Sequence, residues 1–212
     1  MGNIIWFEDD YCYYFWKTHG IASSWGAWPC FLDMFLTNNN DVSLEKIRIH
    51  LNDVFGSENE FWLLNRLDND TTGLLYFAKS LSVKKQRKEL QNQWKIVKYY
   101  IADIQWNVDR IDKCVAYPIA HHPQAKDRMI CIQDSSSTHM QWQICETWIE
   151  KLYYDEIKNY SCLLIMIRKW VRHQIRCHLS AIWCPIIGEK IYKKKKDSGQ
   201  LHLWSIGVSI DQ

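Results

Sequence analysis

Residues 65 to 75 read NRLDNDTTGLL, a polar and acidic stretch that runs directly into an apolar one. Asp, Asn, Thr and Gly favour turns, so this stretch predicts a loop that carries Asp68 and Asp70 and leads into a buried strand at Gly73. A capped turn is the ordinary interpretation of such a loop. A cation-binding loop is the alternative, but the sequence does not supply the later oxygen ligands of an EF-hand loop.

Hydrophobic periodicity on both sides of this loop predicts a fold built from strands and helices. The strands are predicted at 4–16, 73–80, 96–104 and 201–210, and around Val115, Ile130, Ile149 and Leu164. The helices are predicted at 30–36, after Asp41, after Ser80 or Ser82, and across 172–182. Most neighbouring strands have no crossover helix between them. We therefore expect the α+β class, with a mixed, largely antiparallel central sheet flanked by helices.

A second block of charged residues, VRHQIRCHL, covers residues 171–179. Arg172 and Arg176 lie four residues apart and share one face of the predicted helix, which is most often a solvated basic face. His173 and His178 lie five apart, the wrong spacing for one metal on a helix. The eight cysteines form no CxxC pair, and several lie in apolar runs. We therefore expect reduced core cysteines and no metal site.

The composition places the chain among ordinary globular proteins. It has 212 residues, of which 47% are hydrophobic and 24% charged, and this favours a single domain over residues 1–212. A formal net charge of +2 argues against a general coat for polyanions, although it permits a local basic groove. The N-terminus lacks a signal-peptide pattern, and no apolar run approaches the length of a membrane span. We expect a cytoplasmic protein with no membrane association.

Three blocks in a fixed order resemble the RluA-type pseudouridine synthase family. Residues 65–75 match its R-L-D-x-x-T-x-G-L-L pattern, VKYYIADI (97–104) its K-x-Y-x-A strand, and RHQIRCHLSAIWCPIIGEKIY (172–192) its H-Q-I-R signature. PIAHH and LHLWSIGVSI fit two further segments, so the resemblance runs from Ile4 to Ile210. It implies one catalytic domain of the pseudouridine synthase fold with an RNA-binding cleft. We expect no S4-type RNA-binding domain ahead of it.

The resemblance implies an isomerisation in which the uracil of a uridine in RNA leaves C1′, turns, and rejoins through C5. By similarity Asp68 is the essential carboxylate, acting either by attack on C1′ or by helping to remove a sugar proton. Both roles need an ionised carboxylate, and the resemblance pairs Asp68 with Arg176, whose guanidinium would lower the carboxyl pKa. It implies no cofactor and no metal. The implied partner is ribosomal or transfer RNA.

Further site residues come from the same resemblance. Tyr100 corresponds to the tyrosine of K-x-Y, whose ring would stack on the target uracil and whose hydroxyl is a candidate proton shuttle. Without the resemblance, a strand tyrosine with a satisfied hydroxyl is the simpler interpretation, and a shift of one residue would select Tyr99. The residues expected to bind substrate or RNA are Arg66, Lys98, Thr72, Arg172, His173, Gln174 and Leu203. Lys193–Lys196 either touch phosphates or form a solvated loop.

Four tryptophans stand where the resembled family favours glycine, namely Trp62, Trp106, Trp170 and Trp183, in a chain with 12 Trp and only 8 Gly. Glycine serves where φ is positive or backbones approach closely. A bulky residue in the left-handed conformation costs about 1–2 kcal/mol. UGA is read as glycine in certain bacterial lineages and as tryptophan under another code. We hypothesise that some of these residues are glycine in the natural protein; ordinary divergence is the alternative.

Two hypotheses about function follow from these observations. The first is a monomeric RNA pseudouridine synthase that uses Asp68, Tyr100 and Arg176. The second is a catalytically inactive RNA-binding module on the same fold. The complete set of three residues favours the enzyme, because RNA binding alone has no use for a buried carboxylate that faces a polyanion.

Overall fold

The computed structural model describes residues 6–23, 31, 42–55, 62–108, 111–133, 141–193 and 199–211. The chain divides into two compact units, residues 1–96 and 97–212. That residues 1–212 form a single domain stays a prediction.

The first unit is built on three strands, β1 (Trp6–Glu8), β2 (Cys12–Lys17) and β3 (Thr72–Ala78). They pair antiparallel in that order, and β2 runs beside β3 from Cys12 opposite Ala78 to Lys17 opposite Gly73. All seven residues of β3 are buried. Aromatic rings from both strands form the core of the unit, with Phe15 edge-on to Phe77 at a centroid distance of 5.2 Å.

Within the described residues of the first unit lie the helices α1 (Val42–Phe55) and α2 (Leu81–Asn92). Helix α1 buries Ile47 and Leu51, which the periodicity predicts. Helix α2 begins after Ser80, whose Oγ accepts the Val83 N–H at 3.3 Å. This N-cap confirms the first of the two predicted helix starts. The predicted helix at 30–36, apart from Phe31, and the predicted cap at Asp41 lie outside the described residues.

The second unit contains a larger sheet and a smaller one. The strands along the chain are β4 (Ile96–Gln105), β5 (Cys114–Val115), β6 (Ile119–His121), β7 (Met129–Cys131), β8 (Trp142–Gln143), β9 (Thr147–Asp155), β10 (Tyr160–Ile167) and β11 (Leu203–Ile210). The larger sheet has the order β11-β4-β10-β9-β5, and the smaller has the order β7-β6-β8. The registered pairs β4–β10, β10–β9, β9–β5, β6–β7 and β6–β8 are all antiparallel.

Helix α3 (Gln174–Ala181) lies in the second unit and buries six consecutive residues from Gln174 to Leu179. The ordinary interpretation of Arg172 and Arg176 as one solvated basic face is therefore wrong for Arg176, which is 2% exposed, whereas Arg172 lies before the helix and is exposed. Buried polar side chains must find hydrogen-bond partners inside the protein, and Gln174 and Arg176 find theirs in other segments of the second unit, at Glu146 and Glu189.

The predicted α+β class and the main predicted strands are confirmed. The short strands β6 and β8 were not predicted, whereas β5 and β7, which are as short, lie at the strands predicted around Val115 and Ile130. Seven described cysteines are free thiols, as expected. Within the described ranges, no helix is both long enough and apolar enough to cross a membrane.

Candidate active site

The loop that carries Asp68 is anchored to β3 on its N-terminal side. Leu64 N–H donates to Tyr76 O at 2.9 Å, and the Asn65 side chain bridges the same strand through bonds to Leu74 O (2.9 Å) and Tyr76 N–H (3.0 Å). Thr71 N–H then donates to Asp68 O at 3.0 Å and closes a tight turn. The turn predicted from NRLDNDTTGLL is therefore present, closed by a bond between backbone groups of Asp68 and Thr71.

Asp68 is half-buried in this turn. The predicted site residues on either side of it differ in exposure. Arg66 is exposed, so its guanidinium is open to a ligand. Thr72 is buried at the start of β3. The far side of the turn rests on residues 17–23: His19 Nδ1 lies 2.7 Å from Asp70 O, and the His19 ring reaches the Asp70 carboxylate at 3.8 Å.

Strand β4 positions the predicted uracil-stacking tyrosine in the second unit. Tyr100 is buried and pairs with Ile165 of β10, and Lys98 lies on the same face two residues earlier. Burial lowers the pKa of Lys98 to about 8. Tyr99 lies on the opposite face, where its hydroxyl is 3.1 Å from Ser209 Oγ. Of the two tyrosines, Tyr100 shares a face with Lys98, as the K-x-Y assignment requires.

Helix α3 presents Arg176 to a buried carboxylate, Glu189. Arg176 Nε donates to Glu189 Oε2 at 2.7 Å and Nη2 donates to Oε1 at 2.8 Å, a bidentate pair whose side chains are 2% and 0% exposed. Burial alone would raise the pKa of Glu189. The bonds and charge of Arg176, with the N–H groups of Ile191 and Tyr192, more than offset it, so the pKa lies below its ordinary value. The pair is ionised at neutral pH.

The residues flanking Arg176 in the H-Q-I-R block hold neighbouring segments in place. Gln174 is buried; its Nε2 donates to Glu146 O (2.9 Å) and Thr147 Oγ1 (3.2 Å), while its Oε1 accepts Val171 N–H (3.0 Å). These bonds occupy both ends of the amide. Arg172 is exposed, and its Nη1 donates to Lys126 O at 3.2 Å.

Tyr192 connects several parts of this region. Its hydroxyl accepts the Met129 N–H at 2.8 Å and lies 2.9 Å from His173 Nδ1, and the Arg176 guanidinium lies 5.9 Å from its ring centre. Burial, together with the charges of Arg176 and Arg172, lowers the pKa of His173 to about 4. His173 is therefore neutral at neutral pH, and it contributes hydrogen bonds rather than charge to the region around Arg176.

Each unit brings part of the predicted set together. The first holds Arg66, Asp68 and Thr72; the second holds Lys98, Tyr100, Arg172, His173, Gln174, Arg176 and Leu203, the last buried in β11. The pairing of Asp68 with Arg176 and the role of each residue stay predictions. Sequence reasoning missed Glu189 and Tyr192, although both lie inside the quoted signature. Among the side chains that the structure describes, no three His, Cys, Asp or Glu cluster as metal ligands do.

Comparison with known proteins gives a consistent result. The model of a family described as RNA pseudouridylate synthase matches residues 13–181. Ribosomal large subunit pseudouridine synthase D of Nitrosomonas europaea is 27% identical over 130 residues, which cover 61% of this chain and 35% of that protein. An uncharacterized RNA pseudouridine synthase of Helicobacter pylori is 32% identical over 139 residues, 66% of this chain and 45% of that protein. The chain spans less than half of the length of these relatives.

Solved structures share the fold at low sequence identity. Human RNA Pseudouridylate Synthase Domain Containing 1 superimposes with a TM-score of 0.68 and 15% identity, over 98% of this chain and 78% of that one. Human RNA Pseudouridylate Synthase Domain Containing 4 gives a TM-score of 0.66 and 19% identity, over 95% and 82%. At these identities the likeness shows the fold alone.

Proposed function

Because the chain belongs to the RNA pseudouridylate synthase family, of the RluA type, we propose that it isomerises specific uridines of structured RNA to pseudouridine, with Asp68 as the essential carboxylate. The observation that carries this proposal is the family match over residues 13–181, which includes the Asp68 turn, Tyr100 and Arg176. An RNA substrate follows from the family. The activity of this particular chain is the proposal.

The reaction moves one bond and one proton without any net change in composition. The bond from C1′ to N1 of uracil breaks, a bond from C1′ to C5 forms, and the proton on C5 is lost while N1 gains one. Asp68 acts at the sugar, by attack on C1′ or by assisting the loss of a sugar proton. Either step requires the carboxylate to be anionic and fixed in position, and the hydrogen-bonded turn at 68–71 supports the second requirement.

The remaining residues act on the base and on the backbone of the RNA. Tyr100 stacks on the target uracil, and its place on β4, on the same face as Lys98, supports its assignment to the K-x-Y tyrosine. Exposed Arg66 and Arg172 contact phosphates or unstacked bases, since a guanidinium can stack and pair at once. Arg176 keeps the Asp68 carboxylate anionic.

The target is ribosomal or transfer RNA, and the names of several relatives favour ribosomal RNA of the large subunit. We place the protein in the cytoplasm and expect it to act as a monomer. No cofactor takes part in the proposed reaction.

The test is a map of pseudouridines in ribosomal and transfer RNA from cells with and without the gene. We expect one or a few positions to lose the modification in the deletion strain and to regain it when the gene is returned. Identical maps in the two strains would contradict the proposed activity, because the modified base then has another source.

A further inference from the structure

A fully buried lysine lies behind the turn that carries Asp68. Lys17 is the last residue of β2, and its side chain is 0% exposed. Its Nζ donates to three backbone oxygens, those of Thr18 (3.1 Å), Ile21 (2.7 Å) and Asn69 (3.1 Å). An ammonium group has three donors, so these bonds use all of them.

The position of this cation links it to the proposed catalytic carboxylate. Asn69 is the residue between Asp68 and Asp70, and its carbonyl is held by the buried ammonium. Burial lowers the pKa of Lys17 to about 8, against the opposing effects of Asp68 and Asp70. Lys17 therefore remains largely charged at neutral pH. A buried charge is costly unless it is hydrogen-bonded or paired; here three backbone oxygens accept from the ammonium, and the charges of Asp68 and Asp70 favour its charged form.

Other residues of the same segment hold the same turn. Gly20 N–H donates to the Asn69 oxygen that Lys17 also binds, at 2.9 Å. Ser23 Oγ donates to Leu67 O (2.9 Å) and accepts Leu67 N–H (2.8 Å). With the bond from His19 to Asp70, residues 17–23 contact each of Leu67, Asn69 and Asp70. We call residues 17–23 the loop clamp.

We propose that Lys17 is a positioning residue for Asp68: it fixes the peptide on the C-terminal side of Asp68 and supplies a buried positive charge that favours the ionised carboxylate. This inference rests on the proposed function of Asp68. The alternative is that Lys17 only closes the local turn after β2, through its bonds to Thr18 and Ile21. The two interpretations differ in whether Lys17 and Asp68 are energetically coupled.

A double-mutant cycle on thermal unfolding measures this coupling without any assay of activity. We expect Lys17→Gln to lower the Tm more in the parent chain than in an Asp68→Asn chain, because the second background has no carboxylate to lose a counter-charge. Lys85→Met removes an exposed positive charge from α2 and is the matched control; it should leave the Tm unchanged in both backgrounds. An equal fall in both backgrounds would overturn the proposal.

Kinetics with RNA from cells lacking the gene provide the second readout. We expect Lys17→Gln, assayed well below its Tm, to lower kcat by about 10²-fold with little change in KM, because a displaced reactive group slows the chemical step. Lys17→Met is the second variant, because methionine has no donor for the three backbone oxygens, whereas a glutamine amide can still donate. Full kcat in both variants would overturn the positioning role. A parent chain inactive on every RNA, but coupled in the cycle, would contradict the proposed function alone.

A second, independent observation concerns the tryptophans. Among the described residues, those with positive φ that are not glycine include Trp94 (59°), Trp106 (74°) and Trp183 (63°). All three are exposed, so no core packing compensates for the conformation. Trp62 and Trp170 do not have positive φ. Left-handed backbone strain therefore affects Trp106 and Trp183, as the family pattern suggested, but not Trp62 or Trp170. It also affects Trp94, which the family pattern did not indicate.

Two of these tryptophans occupy the position at which helices commonly end on glycine. After α2, Trp94 N–H donates to Gln91 O (3.2 Å) and Lys95 N–H donates to Leu90 O (3.0 Å). These are the two bonds of a Schellman motif, with Trp94 at the left-handed residue. Glycine is favoured there because it has no Cβ to clash.

Helix α3 ends in the same way. Trp183 N–H donates to Ser180 O (3.2 Å) and Cys184 N–H donates to Leu179 O (2.9 Å). Trp106 has positive φ at the residue after β4, where its N–H donates to Asn159 O at 3.0 Å. The backbone at each site thus has a bonding pattern that a glycine would satisfy without strain.

We infer that residues 94, 106 and 183 are glycine in the natural protein, as when UGA is decoded as glycine in its own cells. Peptide mass spectrometry of the protein isolated from those cells is the direct test. Glycine at the three positions is expected, and tryptophan at them would overturn the inference.

Stability of the tryptophan-containing chain gives a second test. We expect Trp94→Gly, Trp106→Gly and Trp183→Gly each to raise the Tm, by about 2–8 °C, because each removes left-handed strain. Trp148→Gly is the matched control: Trp148 is also exposed but lies within β9, where glycine weakens a strand and should lower the Tm. A fall in Tm at the three positive-φ sites would contradict the inference.

Discussion

Asp68→Asn will lower the rate of pseudouridine formation by about 10³-fold or more, while leaving RNA binding measurable. Asparagine has nearly the same shape as aspartate but cannot carry the negative charge that either proposed role requires. The turn should survive the change, because its bonds run through the backbone of Asp68 and Thr71 and through the Asn65 side chain. The loss of rate is therefore expected without a loss of fold.

Three measurements separate the chemical role from a structural one. Pseudouridine in the target RNA reports the reaction, the affinity for the same RNA reports binding, and circular dichroism reports the fold. Asp10→Asn, an exposed residue of the first unit, is the control for loss of one carboxylate and should leave all three unchanged. An Asp68→Asn chain that still turns over at the parent rate would remove Asp68 from the mechanism.

Arg176→Ala will lower the free energy of unfolding by about 3–5 kcal/mol, because it leaves the Glu189 carboxylate buried without its cation. The sequence resemblance instead names Asp68 as the carboxylate that would lose its partner when Arg176 is removed. The structure supplies a sufficient reason in the second unit alone, since Glu189 is 0% exposed and receives two bonds from Arg176. Arg172→Ala, at an exposed site on the same segment, should stay within about 0.5 kcal/mol of the parent.

The loss of unfolding free energy in Arg176→Ala should depend on pH. In the parent the pKa of Glu189 lies below its ordinary value of 4.5, so the pair stabilises the fold above that pH and loses its effect as pH falls through the folded-state pKa. In the variant, burial without the cation raises the pKa instead, so ionisation of Glu189 then opposes folding. The difference in unfolding free energy between parent and variant is thus largest at neutral pH, and it becomes smaller below pH 4.5.

Urea unfolding at neutral pH and at a pH below 4.5 measures this gap. A double variant, Arg176→Met with Glu189→Met, removes both charges and should regain most of the stability that the single variant loses. It should remain inactive, because the proposed counter-charge of Asp68 is gone. An Arg176→Ala chain as stable as the parent at neutral pH would contradict the assignment of this pair.

Local features of the sequence predicted much of the fold. Ser80 marked the start of α2 because a serine hydroxyl caps the first turn of a helix. The apolar stretch after the Asp68 loop became β3, buried throughout, because every one of its residues could pack. Motif order predicted Asp68, Tyr100 and Arg176 as a set; Tyr100 lies in β4, Arg176 in α3 and Asp68 in the turn before β3.

Other features depended on contacts between distant segments. Lys17 ends an aromatic strand and looks like an ordinary surface lysine in the sequence, but one of its three acceptors lies 52 residues away. Glu189 was visible in the signature as a residue after Gly188, yet nothing local shows which cation it meets. Trp94 was missed because family patterns, rather than the end of α2, were used to find glycine positions.

The two tryptophans with left-handed backbone conformation at the ends of α2 and α3 affect how this protein behaves in the laboratory. Trp94 and Trp183 place indole rings at the surface where each helix stops, and exposed aromatic rings promote self-association. A heterologous host that inserts tryptophan there would produce material less soluble than the protein its own cells make. Yield and colloidal behaviour measured on such material would then depend on how the gene was decoded as much as on the natural protein.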